Sequence, residues 1–149
     1  VYGCTKHIME KLFREAATHS LYTKFCCIRG VNIRGSTGSV YSIWERQKKK
    51  NVPITVTDPN MTRFFCSVDE VVDLLFYAID YTQGGEVFVK QCKSHNIGDL
   101  AKEYAEGGEI KVIGMRKGEN LHETLIGRYE GSELRSDKEY EDSGIIVLE

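Results

Sequence analysis

The sequence predicts an α/β fold with a parallel sheet, because helical and extended segments alternate along its 149 residues. Apolar residues recur at helical spacing from Tyr2 to about His19. The run Phe25-Cys26-Cys27-Ile28 has no polar alternation, which is typical of a strand buried on both faces of such a sheet. Ser67-Val68-Asp69-Glu70 has the capping-box form that begins a helix.

The same signals place the remaining elements in order along the chain. A helix is expected from about Val40 to Lys50, and a shorter one from Asn96 to Glu106, ended by two glycines. Short apolar stretches predict strands at residues 54–56, 86–89, 110–113 and, at a sheet edge, 145–148. No second domain is indicated, so residues 1–149 are expected to form a single domain.

Composition excludes several functional classes. The formal charge of -2 provides no positive field for nucleic acid, and no apolar stretch approaches the length of a membrane span. The start of the chain does not read as a signal peptide, so a cytoplasmic protein is expected. The five cysteines have no C-x-x-C spacing, which argues against a metal site and favours reduced thiols.

A Y-x-x-x-K pattern, Tyr2 and Lys6, opens the first helix. Residues four apart lie on one helical face, so the ammonium is expected beside the phenol. A nearby cation stabilises the phenolate form, which a general base for a sugar hydroxyl requires. Any amphipathic helix can carry Tyr and Lys at this spacing, so the pattern alone is a weak signal.

Three further segments carry groups suited to anions or nucleotides. Residues 29–40 run from a strand end through a glycine-containing loop into a helix, and they present backbone N–H groups and the Asn32 amide. Arg63 suits a phosphate or a base. In residues 114–123, Arg116 suits a diphosphate and Glu119 suits ribose hydroxyls. Each segment has an ordinary alternative: a connecting loop, a surface arginine and a solvated charged loop.

Together these segments resemble the extended short-chain dehydrogenases that act on nucleotide sugars. Within them they resemble the inverting UDP-N-acetylglucosamine 4,6-dehydratases of the polysaccharide-biosynthesis (CapD-like) group. The resemblance runs from Tyr2 to about Leu125 and continues through residues 139–142. The segments specific to that group are Met61-Thr62-Arg63-Phe64-Phe65, Gly84-Gly85-Glu86-Val87-Phe88-Val89 and Gly118-Glu119-Asn120-Leu121-His122-Glu123.

The resemblance implies a fold and a set of site residues. The chain is expected to be the C-terminal part of a Rossmann-type fold with parallel strands, lacking the N-terminal dinucleotide-binding half, because no G-x-G-x-x-G follows any strand. Tyr2 and Lys6 are implied as the catalytic pair, and these two residues with Ile33 as contacts to NADP or NAD. The implied substrate contacts are Asn32, Val40, Tyr41, Ser42, Ile43, Trp44, Pro53, Ile54, Thr55, Arg116 and Glu119.

The implied reaction removes water from a UDP-N-acetylhexosamine. In such enzymes the nicotinamide takes hydride from C4 of the sugar, water leaves across C5 and C6, and hydride returns at C6 with inversion at C5. The chain alone is expected to be inactive, and to need an N-terminal cofactor-binding half on the same longer chain or on a separate polypeptide. A homo-oligomer is possible when the enzyme is complete. The alternatives are a UDP-sugar epimerase of the same family and a non-catalytic UDP-sugar-binding remnant.

Overall fold

The computed structural model describes residues 2–128, 130 and 144–148, and their contacts divide into two compact units. The first unit contains the described residues of 1–30, 68–91 and 125–149, and the second contains residues 31–67 and 92–124. The single domain expected from the sequence stays a prediction. The segment 139–142, over which the family resemblance continues, lies outside the described residues.

Four helices and eight strands are found in the described part of the chain. In chain order they are α1 (Tyr2–His19), β1 (Cys27–Arg29), β2 (Asn32–Ile33), α2 (Val40–Lys49), β3 (Ile54–Val56), β4 (Thr62–Cys66), α3 (Val68–Tyr81), β5 (Val87–Lys90), β6 (Ser94–Asn96), α4 (Ile97–Ala105), β7 (Ile110–Val112) and β8 (Ile145–Leu148). The four expected helices are all present, with bounds close to those predicted.

The first unit is a three-stranded sheet with the order β1-β5-β8, joined by α1 and α3. Strand β5 lies in the centre, and its residues 87–89 are fully buried. Leu74 and Ala78 of α3 pack with Phe88, while Val87 and Val89 pack with Leu148. Burial on both faces explains why this strand is a continuous apolar run.

The second unit contains two small sheets, β2-β4-β6 and β3-β7, with helices α2 and α4. Its core contains residues from both helices, from both sheets and from the segment just before β4: Trp44, Ile54, Val56, Met61, Phe65, Ile97 and Ala101. Helix α4 approaches the turn at Pro59 so closely that a Cβ on Gly98 would lie 2.6 Å from the Pro59 carbonyl oxygen. Only glycine fits at that position without movement of the backbone.

The α/β alternation is as expected, but the expectation of parallel strands is wrong for two pairings. Strands β1–β5, β2–β4 and β3–β7 are parallel, whereas β4–β6 and β5–β8 are antiparallel. Strand β6 is the polar sequence Ser94-His95-Asn96, so an apolar pattern does not reveal it. Within the described residues, no helix has both the length and the apolar content needed to cross a membrane.

Arg29 ties β1 to helix α1 and to the segment that follows Leu125. Its Nε and Nη2 donate to Glu10 at 3.1 and 2.7 Å, and its Nη1 and Nη2 donate to Glu130 at 2.9 Å each. Nη1 also donates to the Leu125 carbonyl at 2.8 Å. The Arg29 hydrogen bond, together with the Gly127 N–H, lowers the pKa of Glu130 to about 2 against the opposing effect of its burial. This planar cation holds two carboxylates at once, which a lysine cannot do in the same geometry.

Glu130 gives a pH-dependent test of this ion-pair cluster. Its carboxyl pKa is lowered from 4.5 to about 2, so the stabilisation that it contributes is complete above about pH 4.5 and is lost as the pH falls toward 2. Glu130→Gln should therefore lower the free energy of unfolding at neutral pH, and its difference from the original chain should shrink below about pH 4.5. Urea unfolding at several pH values measures this difference. The control is Glu15→Gln, an exposed glutamate of α1; an equal, pH-independent difference for both variants would refute the pairing.

Candidate functional site

Tyr2 and Lys6 lie together on the first turns of α1, as their spacing predicts. The Lys6 Nζ is 5.3 Å from the centroid of the Tyr2 ring, and the Tyr2 side chain is 76% exposed. The Thr5 hydroxyl donates to the Tyr2 carbonyl at 2.7 Å within the same turn. The phenol is therefore open to a ligand, with a cation held beside its ring.

The predicted loop between β2 and α2 is a helix N-terminus with ordinary capping. Ser39 is the N-cap, and its Oγ accepts from the Ser42 N–H at 3.3 Å. Gly35 and Gly38 have φ of +76° and +80°, which glycine adopts without strain. Asn32 and Ile33 are half-buried on β2, in the same unit as this loop.

The predicted lining residues on α2 and β3 divide between the core and its rim. Trp44 is fully buried, and its indole N–H donates to the Thr55 carbonyl at 2.9 Å. The Tyr41 ring meets Trp44 edge-on at 5.8 Å, and Val40, Ser42 and Ile43 are half-buried. Trp44 thus supports the packing of the unit, and no face of it is open to a ligand in this structure.

Pro53 and Ile54 line an open cavity of about 310 Å³ at the end of α2. Its wall also contains residues from the ends of α2 and α4 and from the segments that follow them: Lys48, Asn51, Val52, Ala105, Gly108 and Glu109. Thr55 is held by Gln47, which donates to its hydroxyl at 2.8 Å and accepts from its N–H at 3.1 Å. Pro53 and Ile54 therefore border this cavity, Ile54 is at the same time buried in the core, and Thr55 is held by hydrogen bonds.

Arg63 contacts the protein itself through all three of its guanidinium nitrogens. Nη1 donates to the Thr62 and Leu121 carbonyls at 2.8 and 3.1 Å, and Nη2 donates to the Asn120 carbonyl at 2.9 Å. Nη2 also contacts the Met61 sulfur at 3.5 Å, and Nε lies 3.3 Å from the Glu123 carboxylate. With its side chain 14% exposed and every guanidinium nitrogen in contact with the protein, Arg63 anchors the 119–123 segment on β4.

The segment that carries Arg116 and Glu119 is docked by several contacts besides Arg63. The Thr62 N–H donates to the Leu121 carbonyl at 3.1 Å, and the Thr62 hydroxyl is 2.8 Å from His122 Nδ1. The Glu119 carboxylate accepts from the Arg116 N–H at 3.0 Å, which closes the turn between them. The Arg116 side chain is exposed, so a docked turn presents a free guanidinium beside a carboxylate.

Asn32 and the Arg116–Glu119 turn are brought together through Glu123, a residue to which sequence reasoning assigned no role. Asn32 Nδ2 donates to Glu123 Oε2 at 2.9 Å and to the Phe64 carbonyl at 2.9 Å. Glu123 belongs to a segment that carries the family resemblance, and that resemblance is the one signal that pointed to it. Sequence reasoning also missed the Arg29 cluster, because its partners Glu10 and Glu130 are 19 and 101 positions away in the chain.

Metal-binding groups do not cluster in the part of the chain that is described. Within residues 2–128, 130 and 144–148, no group of three or more His, Cys, Asp or Glu side chains is placed to hold an ion. Cys66 and Cys92 have their sulfur atoms 2.9 Å apart, a pair that a C-x-x-C search does not detect.

The family model "Polysaccharide biosynthesis protein" matches residues 1–144 of the chain. A UDP-glucose 4-epimerase of Rickettsia bellii is 37% identical over 134 residues, which cover 86% of this chain and 39% of the relative. The capsular polysaccharide biosynthesis protein CapD of Staphylococcus aureus is 37% identical over 138 residues, 87% of this chain and 23% of the relative. The chain therefore spans less than half the length of these curated relatives.

Solved structures share the fold over nearly the whole chain. Pen from Bacillus thuringiensis superposes with a TM-score of 0.87 and 28% identity, covering 99% of this chain and 47% of that one. DesIV, a dTDP-glucose 4,6-dehydratase from Streptomyces venezuelae with NAD and TYD bound, superposes with a TM-score of 0.71 at 14% identity, covering 85% of this chain and 42% of that one. The latter identity shows the fold alone.

This comparison corrects the expected fold. The expectation of a C-terminal part lacking the dinucleotide-binding half is contradicted: the matches, over 42–47% of the solved chains, support an α/β Rossmann-like short-chain dehydrogenase fold for this chain itself. No G-x-G-x-x-G motif follows a strand in the sequence, and the expectation of a missing half was drawn from that absence. A missing motif is a weak guide to the part of a fold that a chain occupies.

The burial of Trp44 leads to a test of its packing role. Trp44→Phe removes the N–H that satisfies the Thr55 carbonyl and should lower the free energy of unfolding by about 1–3 kcal/mol. Tyr41→Phe, at a neighbouring ring, should change it by less than about 0.5 kcal/mol. Circular dichroism is the suitable probe, since Trp44 is the one tryptophan in the sequence. Unchanged stability combined with lost binding of UDP would instead favour a ligand contact at Trp44.

Proposed function

This chain belongs to the polysaccharide biosynthesis protein family of nucleotide-sugar-modifying short-chain dehydrogenases. On that premise, we propose that it contributes to the activity of a C5-inverting UDP-N-acetylglucosamine 4,6-dehydratase. Because the chain spans 39% of the Rickettsia relative, the activity proposed is that of the whole enzyme. A cytoplasmic location is part of the same proposal. The observation that carries it is the pairing of Tyr2 with Lys6.

Tyr2 has the geometry that a proton-transferring group needs. Its side chain is exposed on the first turn of α1, and the Lys6 ammonium lies 5.3 Å from its ring centroid. As phenolate it accepts the proton of a sugar hydroxyl when the C4 position is oxidised, and the adjacent cation stabilises that negative charge. Tyr2 is therefore proposed as the catalytic base and Lys6 as its cationic neighbour.

The residues of α1 also fit a nicotinamide dinucleotide. Lys6 is exposed on the same helical face as Tyr2, so its three N–H donors are available to ribose hydroxyls. Ile33 is proposed as a further cofactor contact. The cofactor, NAD or NADP, supplies hydride acceptance and return when bound; the chain contributes binding, orientation and proton transfer.

Substrate binding is proposed for the second unit. Arg116 is exposed in the turn closed by Glu119, where its guanidinium suits the diphosphate and the carboxylate suits ribose hydroxyls. Asn32 is proposed to contact the sugar. The remaining proposed contacts are the half-buried residues Val40, Tyr41, Ser42, Ile43, Pro53 and Thr55 and the buried Ile54, which borders the cavity at the end of α2.

An epimerase is the second candidate, since curated relatives that are 34–37% identical carry the name UDP-glucose 4-epimerase. The two activities differ in their products. A dehydratase gives a 4-keto-6-deoxy sugar and releases water, whereas an epimerase keeps the C6 hydroxyl. Mass spectrometry of the product distinguishes them by a loss of about 18 mass units, the mass of water.

Tyr2→Phe tests the proposed base. The variant keeps the ring and loses the phenolic oxygen, so turnover of UDP-N-acetylglucosamine should fall by about 10²–10⁴-fold while affinity for the sugar nucleotide changes little. In the assay, the chain is combined with a second polypeptide, which covers the part of the relatives' length that this chain does not span. Tyr22→Phe, at a 97% exposed tyrosine of the same unit, is the matched control. Full activity of the Tyr2 variant would exclude Tyr2 as the base.

A further inference from the structure

We propose that Glu123 is a positioning residue that couples Asn32 to the Arg116–Glu119 turn, so that the sugar and diphosphate contacts of one ligand are set together. The inference rests on the proposed function, which assigns Asn32, Arg116 and Glu119 to the nucleotide sugar. It adds a residue outside that set and gives it a physical role. All of these residues belong to the second unit.

The Glu123 carboxylate bridges two donors on neighbouring strands. Its Oε2 accepts from Asn32 Nδ2 of β2 at 2.9 Å, and its Oε1 lies 3.3 Å from Arg63 Nε of β4. The ionised oxygens make both contacts charge-assisted, and the contact with Arg63 is an ion pair. One side chain from the 114–123 segment therefore holds a group on each of two adjacent strands.

The bridge fixes the orientation of the Asn32 amide. Both partners of Nδ2, the Glu123 carboxylate and the Phe64 carbonyl, are acceptors, so the amide nitrogen must face them. The amide oxygen then points to the remaining side as an acceptor for a sugar hydroxyl. If Glu123 is removed, one amide hydrogen loses its partner and the orientation is held by the Phe64 contact alone.

The other end of the bridge leads to the diphosphate side. Arg63, held by Glu123, donates to the Asn120 and Leu121 carbonyls and lies 3.9 Å from the Glu119 carboxylate. The Glu119 carboxylate now accepts a hydrogen bond from the Arg116 N–H. Without Glu123, the Arg63 guanidinium attracts this carboxylate more strongly and draws it away from that N–H. Glu123 thus limits how far Glu119 moves toward the core and keeps the turn in place.

Calorimetric titration of the full chain with UDP and with UDP-N-acetylglucosamine separates positioning from general stability. Glu123→Ala should weaken the binding of UDP about threefold, because the Arg116–Glu119 turn loosens, and the binding of UDP-N-acetylglucosamine about tenfold, because the Asn32 contact is lost as well. Glu123→Gln should recover part of the loss, because its amide oxygen still accepts from Asn32. Glu103→Ala, at an exposed glutamate of α4, should leave both affinities unchanged. Equal weakening of both ligands, weakening of only one of them, or none would overturn the coupling.

Hydrogen–deuterium exchange of residues 116–122 provides a second measurement that needs no ligand. Faster exchange of these amides in Glu123→Ala than in Glu103→Ala supports positioning, and equal exchange overturns it. If the original chain binds neither nucleotide, the proposed assignment of the nucleotide sugar to Asn32, Arg116 and Glu119 fails. The exchange result then decides the role of Glu123 by itself.

Discussion

The arrangement of the second unit depends on the Arg63 guanidinium. Its three nitrogens meet three carbonyls, a sulfur and a carboxylate, and these partners belong to Met61, to β4 and to the 119–123 segment that docks on it. A lysine at this position would offer one compact charge and leave most of those acceptors unpaired. The turn that presents Arg116 and Glu119 is placed by this interaction.

The first unit uses an arginine in a similar way. Arg29 holds Glu10 of α1 and Glu130 beyond Leu125, and the Leu125 carbonyl accepts from the same guanidinium. In each unit a half-buried arginine joins a strand to chain segments far away in the sequence, and the carboxylates offset the cost of removing its charge from water. Helix α1, which carries Tyr2 and Lys6, is thus tied to the sheet by Glu10.

Local signals predicted the helices well, and long-range pairing explains what they did not predict. Asn96 caps α4 by accepting from the Asp99 N–H, and Glu106 ends it in the left-handed region, both within a residue of the expected bounds. Strand β2 has two residues and β6 is polar, so each exists because β4 lies between them. The position of Tyr2 beside Lys6 follows from helical spacing. The bridge from Asn32 through Glu123 to Arg63 joins positions 91 and 60 apart, which no local pattern encodes.

The anchoring of the 119–123 segment by Arg63 is measured most directly by nitrogen-detected NMR of the arginine side chains. Fixed by their acceptors, the Arg63 Nε and Nη protons should give separate signals that exchange slowly with water, while the exposed Arg116 guanidinium should give averaged, rapidly exchanging signals. Averaged Arg63 signals that exchange as fast as those of Arg116 would contradict the account.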